Sequence, residues 1–208
     1  MRTMETDGDE FSVEDGLRGS GGVPKPERIL ASEAEVEGRL LVVEPDFGFL
    51  PVRLSRDATD IRCLSRSARS CRVTRDNLES NNVEARVENG FYAETEFDTA
   101  VYAPPAYEPI DMVKDRLSSL VSAGGAGSEI MLCGPKKSGM KRYTRFLSDC
   151  GETKKYSKPG NIVVRHRTGS DMDGPHVERS FTASALNQTL DFQTCPGLFS
   201  YAELDSGT

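Results

Sequence analysis

The chain has 208 residues, with 26 Lys and Arg against 33 Asp and Glu, a formal net charge of -7. That length is one domain, or one domain with a tail, and can bury well over half of its unfolded surface without disulfide or metal staples. Its 37% hydrophobic and 28% charged content excludes collagen-like, disulfide-dense and coiled-coil classes. No window approaches the roughly 18 apolar residues of a membrane span. The N-terminus lacks the apolar core of a secretory signal, so the expected compartment is the cytoplasm. The acidic balance disfavours a strongly basic nucleic-acid module but leaves room for a local basic patch. Five cysteines (Cys63, Cys71, Cys133, Cys150, Cys195) show no CxxC spacing and are expected to be reduced and mostly buried. The two histidines, His166 and His176, are not spaced as helical ligands, so no metal site or histidine-based triad is expected.

In chain order, residues 1–27 are rich in Gly, Asp, Glu and Ser and show no period, which reads as a disordered acidic tail. A short helix follows over 26–35, with Pro26 near its first turn. The apolar run at 40–43 suits a parallel strand buried on both faces and ends in the turn EPDFGF. A second strand is predicted over 60–64. A helix through SRSARSCRVTRDNLESNN would place Ala68, Cys71, Val73 and Leu78 on one side and stop at Asn81 and Asn82. Strands over 83–87 and 97–102 come next, the latter ended by APPAY, since proline cannot continue a central strand. A helix over 110–121 carries Met112, Val113, Leu117, Leu120 and Val121 on its apolar face and closes at AGGAG. A strand over 129–133, the loop GPKKSG and a helix from 139 or 140 to about 150 complete the regular alternation. A strand over 162–166 and a hairpin-like pair within 176–195 remain. Strands alternating with helices predict an α/β fold with a largely parallel sheet. Right-handed crossovers put the loops after each strand on one edge, where such sheets bind ligands.

These turns resemble the class I S-adenosylmethionine-dependent methyltransferases, with the chemistry removed. In that family the first strand ends in an acidic, glycine-rich loop close to the cofactor. Here the stretch is Glu44-Pro45-Asp46-Phe47-Gly48, with Gly48 the surviving glycine and bulk at Pro45 and Phe47 where close backbone approach needs none. The family's ribose-binding acid, counted back from Asn77, corresponds to Ser65, which cannot act as a bidentate carboxylate. Amine-methylating members carry Asn-Pro-Pro-aromatic after the fourth strand. Here the segment reads Ala103-Pro104-Pro105-Ala106. The second half, from Asp98-Thr99-Ala100-Val101-Tyr102 through IMLCGPKKSGM, resembles the N-terminal domain of two-domain small-subunit ribosomal RNA guanine-N2 methyltransferases. The closing stretch from Thr194 through PGLFS to LDSGT is the most specific match.

The resemblance implies a Rossmann-like, class I methyltransferase-type sheet flanked by helices over 28–193. Residues 194–208 would be a linker to a catalytic domain absent from this chain. It implies no catalytic residue (degenerate positions Ala103, Pro104 and Pro105) and no cofactor, with Glu44, Gly48 and Ser65 as vestiges. The expected role is to scaffold or present RNA for a partner methyltransferase domain or chain. One alternative is an active RNA methyltransferase that binds S-adenosylmethionine through Glu44, Asp46 and Gly48. Another is a structural protein that forms homodimers.

Three basic clusters are candidates for RNA contact. Lys136, Lys137, Lys141, Arg142 and Arg145 gather at a strand end and a helix start, where Ser138 could cap. Lys154, Lys155, Lys158, Arg165 and Arg167 surround Tyr156, for which a surface hairpin is the favoured reading. Arg66, Arg69, Arg72 and Arg75 form a helical stripe, favoured to face water.

Overall fold

The computed structural model describes residues 2–169, 179–185 and 188–194. Its elements in chain order are β1 (Arg2–Thr6), β2 (Asp9–Val13), α1 (Lys25–Glu33), β3 (Gly38–Val43), α2 (Phe49–Leu54), β4 (Ala58–Ser65), α3 (Ala68–Ser80) and β5 (Arg86–Asn89). There follow β6 (Thr99–Tyr102), α4 (Ile110–Gly124), β7 (Glu129–Pro135), α5 (Met140–Ser148), β8 (Gly151–Lys158), β9 (Asn161–Thr168), β10 (Arg179–Ala185) and β11 (Gln188–Thr194).

Seven strands form one sheet in the order β5-β4-β3-β6-β7-β9-β8. The pairs from β5 to β7 are parallel, and β9 is antiparallel to both neighbours. The α/β sheet expected from the sequence is therefore present. From β3 the chain winds outward through β4 to β5, then returns to β6 on the other side. Strand order thus reverses between β3 and β6, and a crevice opens there at the carboxyl ends of the strands.

Alternate residues of the central strands enter two cores, which is why those runs are apolar on both faces. Leu40, Val42, Cys63, Val101 and Met131 pack on one side with Leu30, Leu50, Val73 and Leu78 from α1, α2 and α3. Leu41, Val43, Ala100, Ile130 and Val164 pack on the other with Val113, Leu117, Tyr143 and Leu147 from α4 and α5. Four cysteines, Cys63, Cys71, Cys133 and Cys150, are free and buried. His166 is buried, with Nδ1 2.9 Å from Thr153 Oγ1, and burial lowers its pKa to about 4. Cys195, His176 and residues 195–208 of the expected linker lie outside the described residues.

Several expectations need correcting. Residues 2–27 are not a disordered tail. β1 and β2 pair as an antiparallel hairpin, and Phe11 and Val13 are fully buried. Phe11 meets Phe47 edge-on at 5.5 Å. Asn77 of α3 clamps the hairpin, its Oδ1 accepting from Ser12 N at 2.7 Å and its Nδ2 donating to Ser12 O at 2.8 Å and Phe47 O at 2.7 Å. Two aromatic or aliphatic anchors and one buried amide hold a segment whose average composition reads as disordered. The strand expected over 83–87 lies over Arg86–Asn89. The surface hairpin favoured around Tyr156 is present as β8 and β9, with β8 at the sheet edge. β8 pairs on one side alone, and its lysines suit an edge strand that must resist further pairing. Ser138 does not cap α5: Gly139 holds the N-cap position at φ 83, and Ser138 Oγ donates to Pro135 O.

Phe11→Ala is expected to lower unfolding free energy by about 3–5 kcal/mol, the cost of emptying a packed aromatic site. Urea denaturation with an unchanged slope would report it; a cost near zero would mean that residues 2–13 are not docked.

Candidate functional site at the carboxyl edge of the sheet

Loops after β3, β4 and β6 meet at the reversal point. Together with residues 16–18 they enclose a cleft of about 140 Å³, lined in part by Glu44, Asp46, Arg66, Ser67, Ser70, Pro105, Tyr107 and Glu108. The loop after β3 is unusual in its backbone. Glu44 and Asp46 hold left-handed φ values of 51° and 59°, which non-glycine residues adopt only when their surroundings fix them. Here both carboxylates are fixed.

Glu44 is the hub of the first network. Its Oε2 accepts from Ser65 Oγ at 2.7 Å and its Oε1 from Arg66 N at 3.3 Å. The same Oε1 lies 2.8 Å from Arg116 Nη2. Arg116, only 1% exposed, also donates from Nη1 to Tyr102 Oη at 3.1 Å. Tyr102 Oη donates in turn to buried Glu108 Oε2 at 2.6 Å. Glu108 Oε1 is 3.1 Å from Arg66 Nη2. The guanidinium of Arg116 stacks 4.4 Å from the Phe91 ring centroid, a contact available to Arg because its cation is planar. Burial opposes the Arg116 charge, but Tyr102, Glu44 and Glu108 together raise its pKa. Burial raises that of Tyr102 well above the usual phenol value, so it stays a donor.

The second network closes the other wall. Asp46 Oδ1 accepts from Arg18 N at 3.0 Å, and its Oδ2 accepts from Gly19 N. The Arg18 side chain ion-pairs with buried Glu27 and donates to the carbonyl of Ala103. Gly19 has no alternative: a Cβ there would lie 2.1 Å from the Phe47 ring. Residues 16–19 are therefore a strap across the end of β3, with Phe47 turned into the core beneath it.

The sequence-derived positions can now be placed. Ser65, Glu44 and Ala103 do converge on one crevice. Ser65 and Glu44 are bonded to each other, and Ala103 O is taken by Arg18. Gly48 is explained by its backbone, since it caps the start of α2 at a left-handed φ of 97°. Pro104 and Pro105 end β6 at the cleft. The arginine stripe of α3 does not face water alone. Arg72 pairs with Glu14 at 2.8 Å, Arg69 donates to Asp15 O, Arg66 enters the cleft and Arg75 donates to Val87 O. Around Tyr156, Lys154, Lys158 and Arg165 are paired to Glu152, Glu33 and Glu35. Lys136, Lys137, Lys141, Arg142 and Arg145 are exposed and show no side-chain partner among the described residues. Sequence reading missed Arg18, Glu27, Glu108 and Arg116. The one available signal was an apolar helix face in α4 interrupted by Arg116.

A parallel sheet with an order reversal and an edge crevice, flanked on both faces by helices, is the Rossmann-like fold of methyltransferases. No protein-family model matches the chain. It is 32% identical over 101 residues to ribosomal RNA small subunit methyltransferase C of Haemophilus influenzae, covering 46% of this chain and 30% of that protein. The Vibrio parahaemolyticus protein of the same name is 24% identical over 134 residues, covering 62% of this chain and 38% of the relative. The chain thus spans about a third of the length of the curated relatives it matches. Among solved structures, the Thermus thermophilus 16S rRNA N2 G1207 methyltransferase, in complex with AdoMet and guanosine, superposes with a TM-score of 0.75 at 22% identity, over 99% of this chain and 55% of that one. A precorrin-6y methyltransferase of Geobacter metallireducens superposes at 0.57 with 13% identity, over 77% and 94% of the two chains. The resemblance to small-subunit ribosomal RNA methyltransferases read from the sequence is borne out, and the partial coverage fits a domain.

The Glu44 carboxylate, the Ser65 hydroxyl and the Ala103 carbonyl are all bonded within the protein.

Removing one partner of this network should strand the rest. Arg116→Met leaves Glu44 and Glu108 without their buried cation, and a loss of about 3–5 kcal/mol is expected in urea denaturation. The strap should also carry a pH signature. Burial, with Asp46 nearby, outweighs the attraction of Arg18 and pushes the Glu27 carboxyl up to about 7, from 4.5 in the open chain. The native state then binds more protons than the unfolded state between those values, so this group's contribution is present at pH 4.5 and lost as pH rises through 7. Glu27→Gln should flatten the pH dependence of melting temperature in that window; an unchanged profile would assign the slope to another group.

Proposed function

We propose that this chain is a non-catalytic methyltransferase-like domain that scaffolds or presents RNA for a ribosomal RNA guanine-N2 methyltransferase. The observation that carries the reading is the self-paired crevice, in which Glu44 is bonded to Arg116 and Ser65, and the Ala103 carbonyl to Arg18. No step of methyl transfer is assigned to any residue here. A general acid or base at this edge would need a free carboxylate or amine aimed at the substrate. Glu44, Asp46 and Glu108 are each committed to an internal partner.

The likeness to ribosomal RNA methyltransferases supports RNA as the substrate that a partner domain would act on. Function does not follow from fold alone. The division of labour proposed here therefore rests on the filled site, and the transfer chemistry belongs to an intact domain or chain beside it. S-adenosylmethionine would then be a ligand of that partner.

Calorimetric titration of the folded chain with S-adenosylmethionine is expected to give no saturable heat at high micromolar ligand. Saturable binding in the micromolar range would overturn the reading and restore the active-enzyme alternative.

A further inference from the structure

The molecule carries a net charge of -7, yet one of its surfaces gathers a cluster of unpaired cations. Lys136 and Lys137 lie in the turn after β7, Lys141 and Arg142 in the first turn of α5, and Arg145 in its last turn. All five are exposed. Lys141 and Arg145 stand one helical turn apart, about 6 Å along the axis. The turn is held rigidly: Lys136 N donates to Gly160 O, and Ser138 N and Oγ both bond Pro135 O. Beneath them Met140, Tyr143 and Leu147 are buried, so α5 presents its charges from a fixed base. Lys155 extends the patch. It sits in register with Val164 of β9, whose side chain packs in the α4–α5 core, so it projects on the α5 side of the sheet.

What separates this cluster from the other two is pairing. In the α3 stripe and around Tyr156, most cations are matched by Glu14, Glu33, Glu35, Glu108 or Glu152. In the α5 patch none of the six has an ion pair among the described residues. An acidic chain that pairs most of its other clustered cations and leaves these six open keeps a concentrated positive potential there, which steers a polyanion to this face.

We infer that the α5 patch is an RNA-docking surface that grips the phosphate backbone without reading base sequence. This rests on the reading of the chain as an RNA-presenting domain and names the surface it uses. RNA is favoured over an anionic membrane because nothing apolar accompanies the charges. The exposed large hydrophobics of the described residues are Tyr92, Tyr107 and Leu190, none of them in α5 or its preceding turn. Interfacial membrane binding needs such residues beside the cations, and a protein partner needs aromatic or aliphatic anchors. Lysine and arginine alone match phosphate, and each contact releases counterions.

Fluorescence anisotropy with a labelled mixed-sequence RNA stem-loop, titrated between 50 and 200 mM salt, tests the inference. The wild-type chain should bind with a log–log salt slope of about -0.7 to -0.9 per contacted phosphate. Lys141→Gln with Arg145→Gln should weaken binding on the order of 30-fold at 0.1 M salt and reduce the slope by about two. Lys154→Gln, in the paired cluster, should change neither. Should the double variant melt early, Lys137→Gln in the exposed turn should still reduce the slope by about one. RNA binding that survives the α5 substitutions, or that falls only with Lys154→Gln, overturns the patch while leaving the filled crevice standing. Capture by phosphatidylserine vesicles with no RNA binding overturns it in favour of a membrane. S-adenosylmethionine binding in calorimetry would instead sink the non-catalytic reading and leave the patch untouched.

Discussion

A buried charge needs a partner, and the carboxyl edge of this sheet is organised around that requirement. Arg116 projects from the apolar side of α4 into a region with almost no water. Without compensation its desolvation would cost several kcal/mol. Glu44, Glu108 and the Tyr102 hydroxyl surround it, and Phe91 covers the guanidinium face. That arrangement fixes the loop after β3 in its left-handed turns, sets the position of the loop after β6 through Glu108, and draws Arg66 at the start of α3 inward. Three loops that would otherwise be free to line a ligand site are tied to one cation.

The N-terminal segment completes the closure from outside. Its hairpin is stitched to α3 by Asn77, Asn81, Arg69 and Arg72, and its strap delivers Arg18 to the Ala103 carbonyl. α3 is therefore two-faced in a productive way. One face packs Val73 and Leu78 into the core, and the other binds residues 9–15. The helix that follows the second parallel strand serves as a platform for the chain's own beginning.

Much of the sheet was legible in the sequence because parallel strands covered on both faces must be continuously apolar. Residues 40–43 and 130–133 are uninterrupted apolar runs of that kind. Of the positions singled out in the sequence, Ser65 and Glu44 are bonded to each other and the Ala103 carbonyl is taken by Arg18. What fills the crevice was not legible. Arg18 lies 85 residues from its carbonyl acceptor, and Arg116 lies in a helix that reads as ordinary and amphipathic, so no local spacing links them to Glu44 or Glu108. The order of residues 2–27 was hidden for a related reason. Composition averages over a segment, whereas docking depends on a few side chains such as Phe11 and Val13 finding a prepared groove. The hairpin of β8 and β9 was legible as a surface feature, because an edge strand answers to solvent and not to a core.

The pairing of Glu44 with Arg116 has a bearing on how such a domain can change over time. Any sequence change that opened the crevice would have to break this pairing, and each single replacement toward that end leaves an uncompensated ion in a buried interior. Removing Arg116 exposes two carboxylates to one another; removing Glu44 frees Ser65 and Arg66 from their acceptor; withdrawing the strap uncovers Asp46 and Glu27 together. Each such single replacement is expected to lose stability, because breaking one partner of a buried pair strands the other. The closed state is thus entrenched, held in place by the folding requirement itself, whatever selection acts on the surface that remains.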